Sequence, residues 1–537
     1  MRTFRNFFRW FSPVWASLAL PCISFGETQP ESVAAHCHFL GTAYLPQTPS
    51  FAPARKIFSL PSTRQFEDLV YSRVAQTLAQ SLQLQMDTTT ITAIRSLLDD
   101  ATQVESVGSF GGASGHPLNF VFAFRLDKKR AQAWQQALEQ ASHRSGESFR
   151  ADAFTGSQWN KGATNSFWIV PARDWMVVGR GDDLANVRLE FLRQIQKTGE
   201  PSESLRANWF EADVDWARLA QWLPLSSCPL KLGRTQIGIG AQGRDFIMDG
   251  RITYREPMQW HPQPWRTPTN LVREPLLAFS TGQDVQAFFN STEAVSRLGA
   301  TLFEDQFYFW AMGEMPFESY LAWPVQNATN AMRDLAPRAT ALLNPDLKKI
   351  DGTELVWHAG QTQLLWTKLQ LIAPFLQSAS GSGGQFLLAT LFSLTRGTRA
   401  APSALWEQFK NRSDLVYYDW ELTGPRLLQL RTLTQMLPVL QWAGLSTDAQ
   451  KSAGDERTRL NLEEHWLAGL TPELGNTVTQ ITKSGPSELK VVRKSPFVFT
   501  SLELVLLSHW LTGTPAGPIN FALLPQAKMS GPGLPSH

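Results

Sequence analysis

A chain of 537 residues that is 43% hydrophobic and 18% charged is too apolar to stay disordered and too long for one hydrophobic core, so two lobes are expected. Its 49 basic and 47 acidic side chains nearly cancel, which excludes nucleic-acid recognition by bulk charge. Three cysteines exclude a disulfide scaffold.

The chain opens with Arg2, Arg5 and Arg9, then the apolar stretch WFSPVWASLALPCISFG, which closes on Ser24-Phe25-Gly26. This is the layout of a cleavable secretory signal over residues 1–26. Two prolines and modest length make it a poor permanent span, and no later run reaches about 18 uninterrupted apolar residues. Leu18 to Cys22 loosely matches a lipidation box, but Pro21 stands where a small residue is needed, so Cys22 is not expected to carry lipid. The expectation is an exported protein, periplasmic or extracellular. After cleavage Cys37 and Cys228 remain; they pair in an oxidising compartment or stay as two free thiols.

A leader of low periodicity, with prolines at 46, 49 and 53, runs to about Ser59. Helical spacing then puts Phe66, Leu69, Val70, Val74, Leu78 and Leu82 on one stripe, with Ser62 and Gln65 as a capping box. A second helix spans about Ile91 to Ala101. Beyond it one theme recurs: a short apolar strand, then Asp or Thr, then an amphipathic helix at once. The caps are Asp127 after the strand Phe120–Leu126, then Asp215, Thr281, Thr362, Thr423 with Pro425 in the first turn, and Thr500 with Glu503 as a full capping box. Three segments, Asn165 to Ile195, Asp305 to Ala336 and Asn476 to Leu511, read strand, short turn, strand, helix. Turns that short force antiparallel pairing, because a parallel crossover needs about a dozen residues or more. The fold class is therefore α+β, antiparallel sheets with helices packed on one face, in two pseudo-repeated lobes built from ββα units. The lobes span 27–260 and 261–512. The proline-rich REPMQWHPQPWRTPTN between them reads as an extended connector, and a flexible Gly/Pro-rich tail covers 513–537.

Several patterns invite chemistry. TQIGIGAQGRDF sets Gly238, Gly240 and Gly243 at dinucleotide-binding spacing. A phosphate turn needs a helix directly after the glycines, but RDFIMDGRITY alternates with period two. The segment reads as a hairpin turning at Gln242-Gly243, and no cofactor is assigned. His36-Cys37-His38 offers metal-binding residue types, yet alternation along a strand turns Cys37 away from His36 and His38. Those two histidines are the metal candidates, without a second cluster to complete a site, so no metal is assigned. There is no G-x-S-x-G elbow, H-E-x-x-H or P-loop; Ser114, Ser382 and the S-x-x-K at Ser487 to Lys490 lack the context those motifs need. The basic run Lys490 to Lys494 alternates as a strand face does.

Acid–base pairs remain. Asp213 and Asp215 share a strand face two residues apart, although Asp215 doubles as a cap. Glu304 and Asp305 precede the aromatic run FYFW, which is either the border of a sugar-stacking groove or a packed strand. Most of the twenty tryptophans, Trp134, Trp222, Trp366 and Trp510 among them, sit in apolar periodic segments and read as core.

The strand–cap–helix pattern, with LNFVFAFRLDKKRAQAWQQAL, DLVYYDWELTGPRLLQL and LGNTVTQITKSGPSELKVVRKSPFVFTSLELVLLSHWL, resembles a family of exported bacterial proteins of unknown function found in the Verrucomicrobia and related phyla. The resemblance implies export and an α+β repeat fold, and it supplies no active-site residues. The functional expectation is an exported non-catalytic binding or scaffold protein of the bacterial cell envelope, with an envelope protein or glycan as partner. The alternative is an envelope hydrolase or glycan-active protein using paired carboxylates and exposed tryptophan.

Overall fold

The computed structural model of the protein describes residues 33–113, 116, 118–160, 166–202, 208–220, 222, 233–242, 245–260, 262–285, 298, 304–313, 318–348, 353–368, 374–390, 399–442 and 453–513. The expected signal segment, Ser114, Cys228, Gly243 and the tail from 514 onward lie outside them.

Among the described residues twenty strands join in one sheet. The first ten are β1 Val33–Phe39, β2 Ser106–Gly111, β3 Asn119–Arg125, β4 Glu147–Ala151, β5 Phe154–Trp159, β6 Phe167–Ala172, β7 Trp175–Arg180, β8 Phe210–Asp215, β9 Arg234–Gln242 and β10 Asp245–Thr253. A separate two-stranded ladder pairs β11 Arg273–Glu274 with β19 Arg399–Ala400. The rest of the sheet is β12 Leu276–Gln283, β13 Gln306–Met312, β14 Ser319–Val325, β15 Glu354–His358, β16 Gln363–Thr367, β17 Phe375–Gly381, β18 Gly384–Thr390, β20 Leu415–Leu422, β21 Asn476–Gly485 and β22 Glu488–Ser495.

Every neighbouring pair is antiparallel. From β10 outward the order is β10, β9, β8, β1, β2, β3, β7, β6, β5, β4. From β22 outward it is β22, β21, β20, β12, β13, β14, β18, β17, β16, β15. The two series have the same connectivity. Each also carries a bulge at the start of its fourth strand, between Val33 and Ala35 in β1 and between Leu276 and Ala278 in β12. The series meet where β10 pairs with β22, from Phe246 opposite Ser495 to Thr253 opposite Glu488.

Alternation decides what each strand buries. In β3, Val121 and Ala123 are sealed on one side while Phe120, Phe122 and Phe124 face the other. The Phe122 ring lies directly across Gly108, where a Cβ would stand 2.1 Å from it; only glycine lets that ring lie flat on β2. Most helices cover one face of the sheet. Helix Lys128–Ser142 sets Trp134 and Leu138 on Phe167, Ile169 and Met176, and helix Ala328–Leu347 covers β14, β18 and β16 through Met332 and Leu335. At the centre, helices Ala52–Ser59, Pro61–Ser81, Thr423–Trp442, Ala453–Leu470 and Ser501–Gly513 enclose Ala212, Ile237, Ile239, Phe246 and Met248. Two helices take the opposite face, which corrects the one-face expectation. Ala185–Thr198 packs Phe191 and Leu192 on Val121 and Val177, and Ser403–Glu407 packs Leu405 near Phe279 and Trp310.

The α+β class and all three strand–turn–strand–helix segments are as expected. Three caps hold: Asp127 accepts from the Arg130 amide, Asp215 from the Arg218 amide, and Thr500 and Glu503 exchange reciprocal hydrogen bonds. Thr423 is the first residue of its helix, and its hydroxyl lies 2.7 Å from that of Thr477. Other expectations fail for identifiable reasons. The leader holds β1, paired on both sides, and a helix at Ala52–Ser59. Pro61, pre-set for helix φ, starts the next helix with Leu60 as its cap, so Ser62 lies inside it and no capping box forms. Thr281 stays within β12 and donates to the Phe307 carbonyl. Thr362 adopts φ 51 as the turn between β15 and β16, so the apolar run after it is a strand. The proline-rich connector is extended but fixed: Gln283 bonds Gln263 at both backbone groups, and Gln306 bonds the Pro264 carbonyl and the Arg266 amide.

Candidate functional site

The two histidines lie on a strand flanked on both sides. His36 is opposite Ser109 on β2 and Asp213 on β8, and His38 is opposite Val107 and Glu211. His36 Nδ1 is 3.0 Å from Ser109 Oγ, so a serine, a histidine and an aspartate occupy one row across three strands. The row lacks what a nucleophilic triad requires. Asp213 is fully enclosed; it accepts from Arg234 at 2.8 and 2.6 Å and from Gln236 at 3.1 Å. Ser109 is 2% exposed. Burial lowers His36 to about 4 despite the opposing pull of Asp213, so the imidazole is neutral at ordinary pH.

His38 is fixed in the same way. Its Nε2 is 3.0 Å from Glu105 Oε1, the other Glu105 oxygen accepts from Arg125 at 2.7 Å, and Arg125 also donates to Glu200 at 3.0 Å. Glu211 accepts from Asn208 at 2.8 Å, and burial holds its carboxyl above the usual range. Cys37, a free thiol, turns to the other face as alternation requires, where burial raises it to about 12. Among the described residues no group of three or more His, Cys, Asp or Glu is placed to hold a metal ion.

The acidic candidates are also engaged. Asp215 caps helix Trp216–Leu219 and lies 3.4 Å from Arg218 and 3.8 Å from Arg255. Glu304 pairs with Arg266. Asp305 stands beside Asp284, whose carboxyl is raised to about 6 by burial and by that neighbouring charge. The aromatic run after them is core rather than groove: Tyr308 and Trp310 are fully buried, and Trp310 stacks on Tyr320. Asp213 and Asp215 end β8 in one series, whereas Glu304 and Asp305 precede β13 in the other, and no contact joins the two pairs among the described residues.

A second acidic row was not anticipated. Asp419 and Glu421, two apart on β20, are buried under the central helices. Ser280 Oγ donates to Asp419, and the Ser501 amide and hydroxyl donate to Glu421 at 2.7 Å each. On β22, Arg493 holds Glu503 through two bonds of 2.7 and 2.8 Å and also reaches Thr479 and the Val498 carbonyl. Burial, then the Glu421 charge, pushes Asp419 up to about 7.

Because β20 alternates, Tyr418, Trp420 and Leu422 point the other way. There they line a cleft of about 710 Å³ with Glu274, Pro275 and Leu276 on one side and Arg399, Pro402, Ala404, Leu405 and Gln408 on the other. Trp420 and Leu422 are half-buried, and Arg399 is exposed. Glu274 and Arg399 are cross-strand neighbours in the β11–β19 ladder. The signal that would have found both features was in DWEL: two acids flanking a tryptophan on a strand, one face polar and the other aromatic. It repeats the spacing of Asp213 and Asp215.

No protein-family model matches the chain, and no curated protein or solved structure matches it.

Proposed function

We propose that the protein is an exported, non-catalytic binding or scaffold protein of the bacterial cell envelope, built from two copies of one ten-strand unit and holding its ligand in the β20 cleft. The observation that carries the reading is the state of its titratable side chains. Asp213, Asp215, Glu304, His36 and His38 are each bonded to a neighbour within the fold, whereas the cleft presents an aromatic and aliphatic floor with a single carboxylate, Glu274. Hydrolysis by paired carboxylates needs two such groups flanking one bond. Matching strand orders and matching bulges support the duplicated plan. Export rests on the arginine-led, apolar N-terminus; among the described residues no helix is long and apolar enough to cross a membrane.

The test is a screen of the full chain against glycans, peptidoglycan fragments and peptides, scoring binding by calorimetry and turnover by product analysis in the same samples. Saturable binding without turnover is expected. Turnover that falls at least a hundredfold in Asp213→Asn or Glu304→Gln would establish the hydrolase alternative instead. Amino-terminal sequencing of the natively expressed protein should begin after Gly26, and an intact Met1 would refute export by signal cleavage.

A further inference from the structure

We propose that the cleft beside β20 takes an uncharged saccharide, an assignment that rests on the binding reading above. The floor is half-buried Trp420 with Leu422, Leu405 and Pro275. An indole with apolar neighbours suits a ligand that has a flat, weakly polar face. At the rim, Glu274 and Arg399 face each other across a two-residue ladder. Neither is in an ion pair or side-chain hydrogen bond with another described residue. One guanidinium and one carboxylate cancel in charge, so neither an anion nor a cation is selected. Together they offer donors and acceptors to groups projecting from the edge of a ring. The half-buried Gln408 adds an amide, already oriented by a donor bond to the Ala404 carbonyl and by Gln480.

An extended peptide fits less well. Strand addition needs a free backbone edge; both edges of β20 are taken, by β12 and β21, and β11 and β19, at two residues each, are too short to seat an added strand. A pyranose needs no such edge. Its ring hydrogens lie against the indole and its hydroxyls meet Arg399 and Glu274. The cleft has room for more than one ring on volume alone, at 710 Å³ against the roughly 300–1,000 Å³ of small-molecule sites.

The test is isothermal titration of the full chain with neutral di- and trisaccharides of N-acetylglucosamine and of glucose, alongside uncharged tripeptides. Saccharide binding is expected, at least fivefold weaker in Arg399→Ala and abolished in Trp420→Ala. Arg399 is exposed, so its substitution leaves the fold intact, and an unchanged melting curve for Trp420→Ala separates lost contact from lost structure. Saccharide binding indifferent to both variants refutes the cleft assignment. Tripeptide binding that Trp420→Ala abolishes, without saccharide binding, overturns the saccharide class but leaves the binding reading standing. No binding by either set, together with turnover in the glycan screen, overturns both.

Discussion

Asp419→Asn should stabilise the protein, and by an amount that grows with pH. The carboxyl is buried, has Glu421 two residues away, and shares its cations, since Arg493 is bonded to Glu503 and the buried Arg426 interacts more strongly with Glu421. Its pKa is accordingly raised from 3.8 to about 7. A carboxyl that binds its proton more tightly folded than unfolded contributes stability that is complete below the unfolded pKa and lost as pH rises through the folded one. Each unit of that window is about 1.4 kcal/mol, so the total loss has a ceiling of about 4 kcal/mol, and about half of it falls between pH 5 and pH 7. Asparagine keeps an oxygen to accept from Ser280 Oγ and has no charge to desolvate. The gap between variant and parent should therefore widen by about 2–3 kcal/mol from pH 5 to pH 7 and level off above. Removing the Asp419 charge also relieves Glu421, whose carboxyl is raised by burial, and this adds in the same direction. Urea unfolding followed by tryptophan fluorescence at pH 5, 6, 7 and 8 measures it. A gap that is constant across that range, or that narrows as pH rises, would refute the account of Asp419 as a buried acid without a cation of its own.

Two further substitutions probe the same physics elsewhere. Arg493→Met strands Glu503 in the core and should cost about 3–5 kcal/mol, with most of it recovered in Arg493→Met/Glu503→Met; a double variant as unstable as the single would show that packing, not the lone charge, is at fault. Asn344→Ala should make the mass measured by light scattering rise with concentration more steeply than in the parent, because the Asn344 amide accepts from the Leu355 N–H at 2.7 Å and donates to its carbonyl at 3.1 Å, closing the outward edge of β15. An unchanged mass at high concentration would dismiss that role.

How much was legible depended on which term decided each segment. Thr500 and Glu503 were readable because a capping box is local, and so was the hairpin at the G-x-G-x-x-G glycines, since β9 and β10 pair with Gln242 opposite Asp245. Periodicity also separated Cys37 from His36 and His38. β1 was missed because VAAHCHF carries polar groups on one face, and their partners, Ser109, Glu105 and Asp213, come from strands far along the chain. The helix expected after Thr362 failed since a short apolar run has no period that separates strand from helix; β15 and β17 on either side decided the outcome. The ion pairs that neutralise Asp213 and Glu304 are products of register, which a single sequence does not display.

The size of the sheet bears on the proposed duplication. Open twisted sheets rarely exceed about 10 strands without curling or splitting, and this one has twenty. The helices are arranged as though there were two sheets: separate cores serve the outer strands of each series, and one shared core closes over β9, β10 and their neighbours. A ten-strand unit ending at β10 would expose a long edge carrying Phe246, Ile247, Met248 and Ile252, the kind of edge that invites pairing with another chain. The second unit ends at β22 with the same problem. Pairing the two edges antiparallel satisfies both sets of backbone groups, and the registers run from Thr253–Glu488 to Phe246–Ser495 without a shift. Helix Ser501–Gly513 follows β22 directly and brings Leu504 over Phe246 and Met248 of the other unit. The junction is therefore core rather than linker. On the proposed duplication, two units whose edges would otherwise have to find each other as separate chains are joined within one, and the proline-rich segment between them is held down by Gln283 and Gln306, so that their union would not depend on concentration.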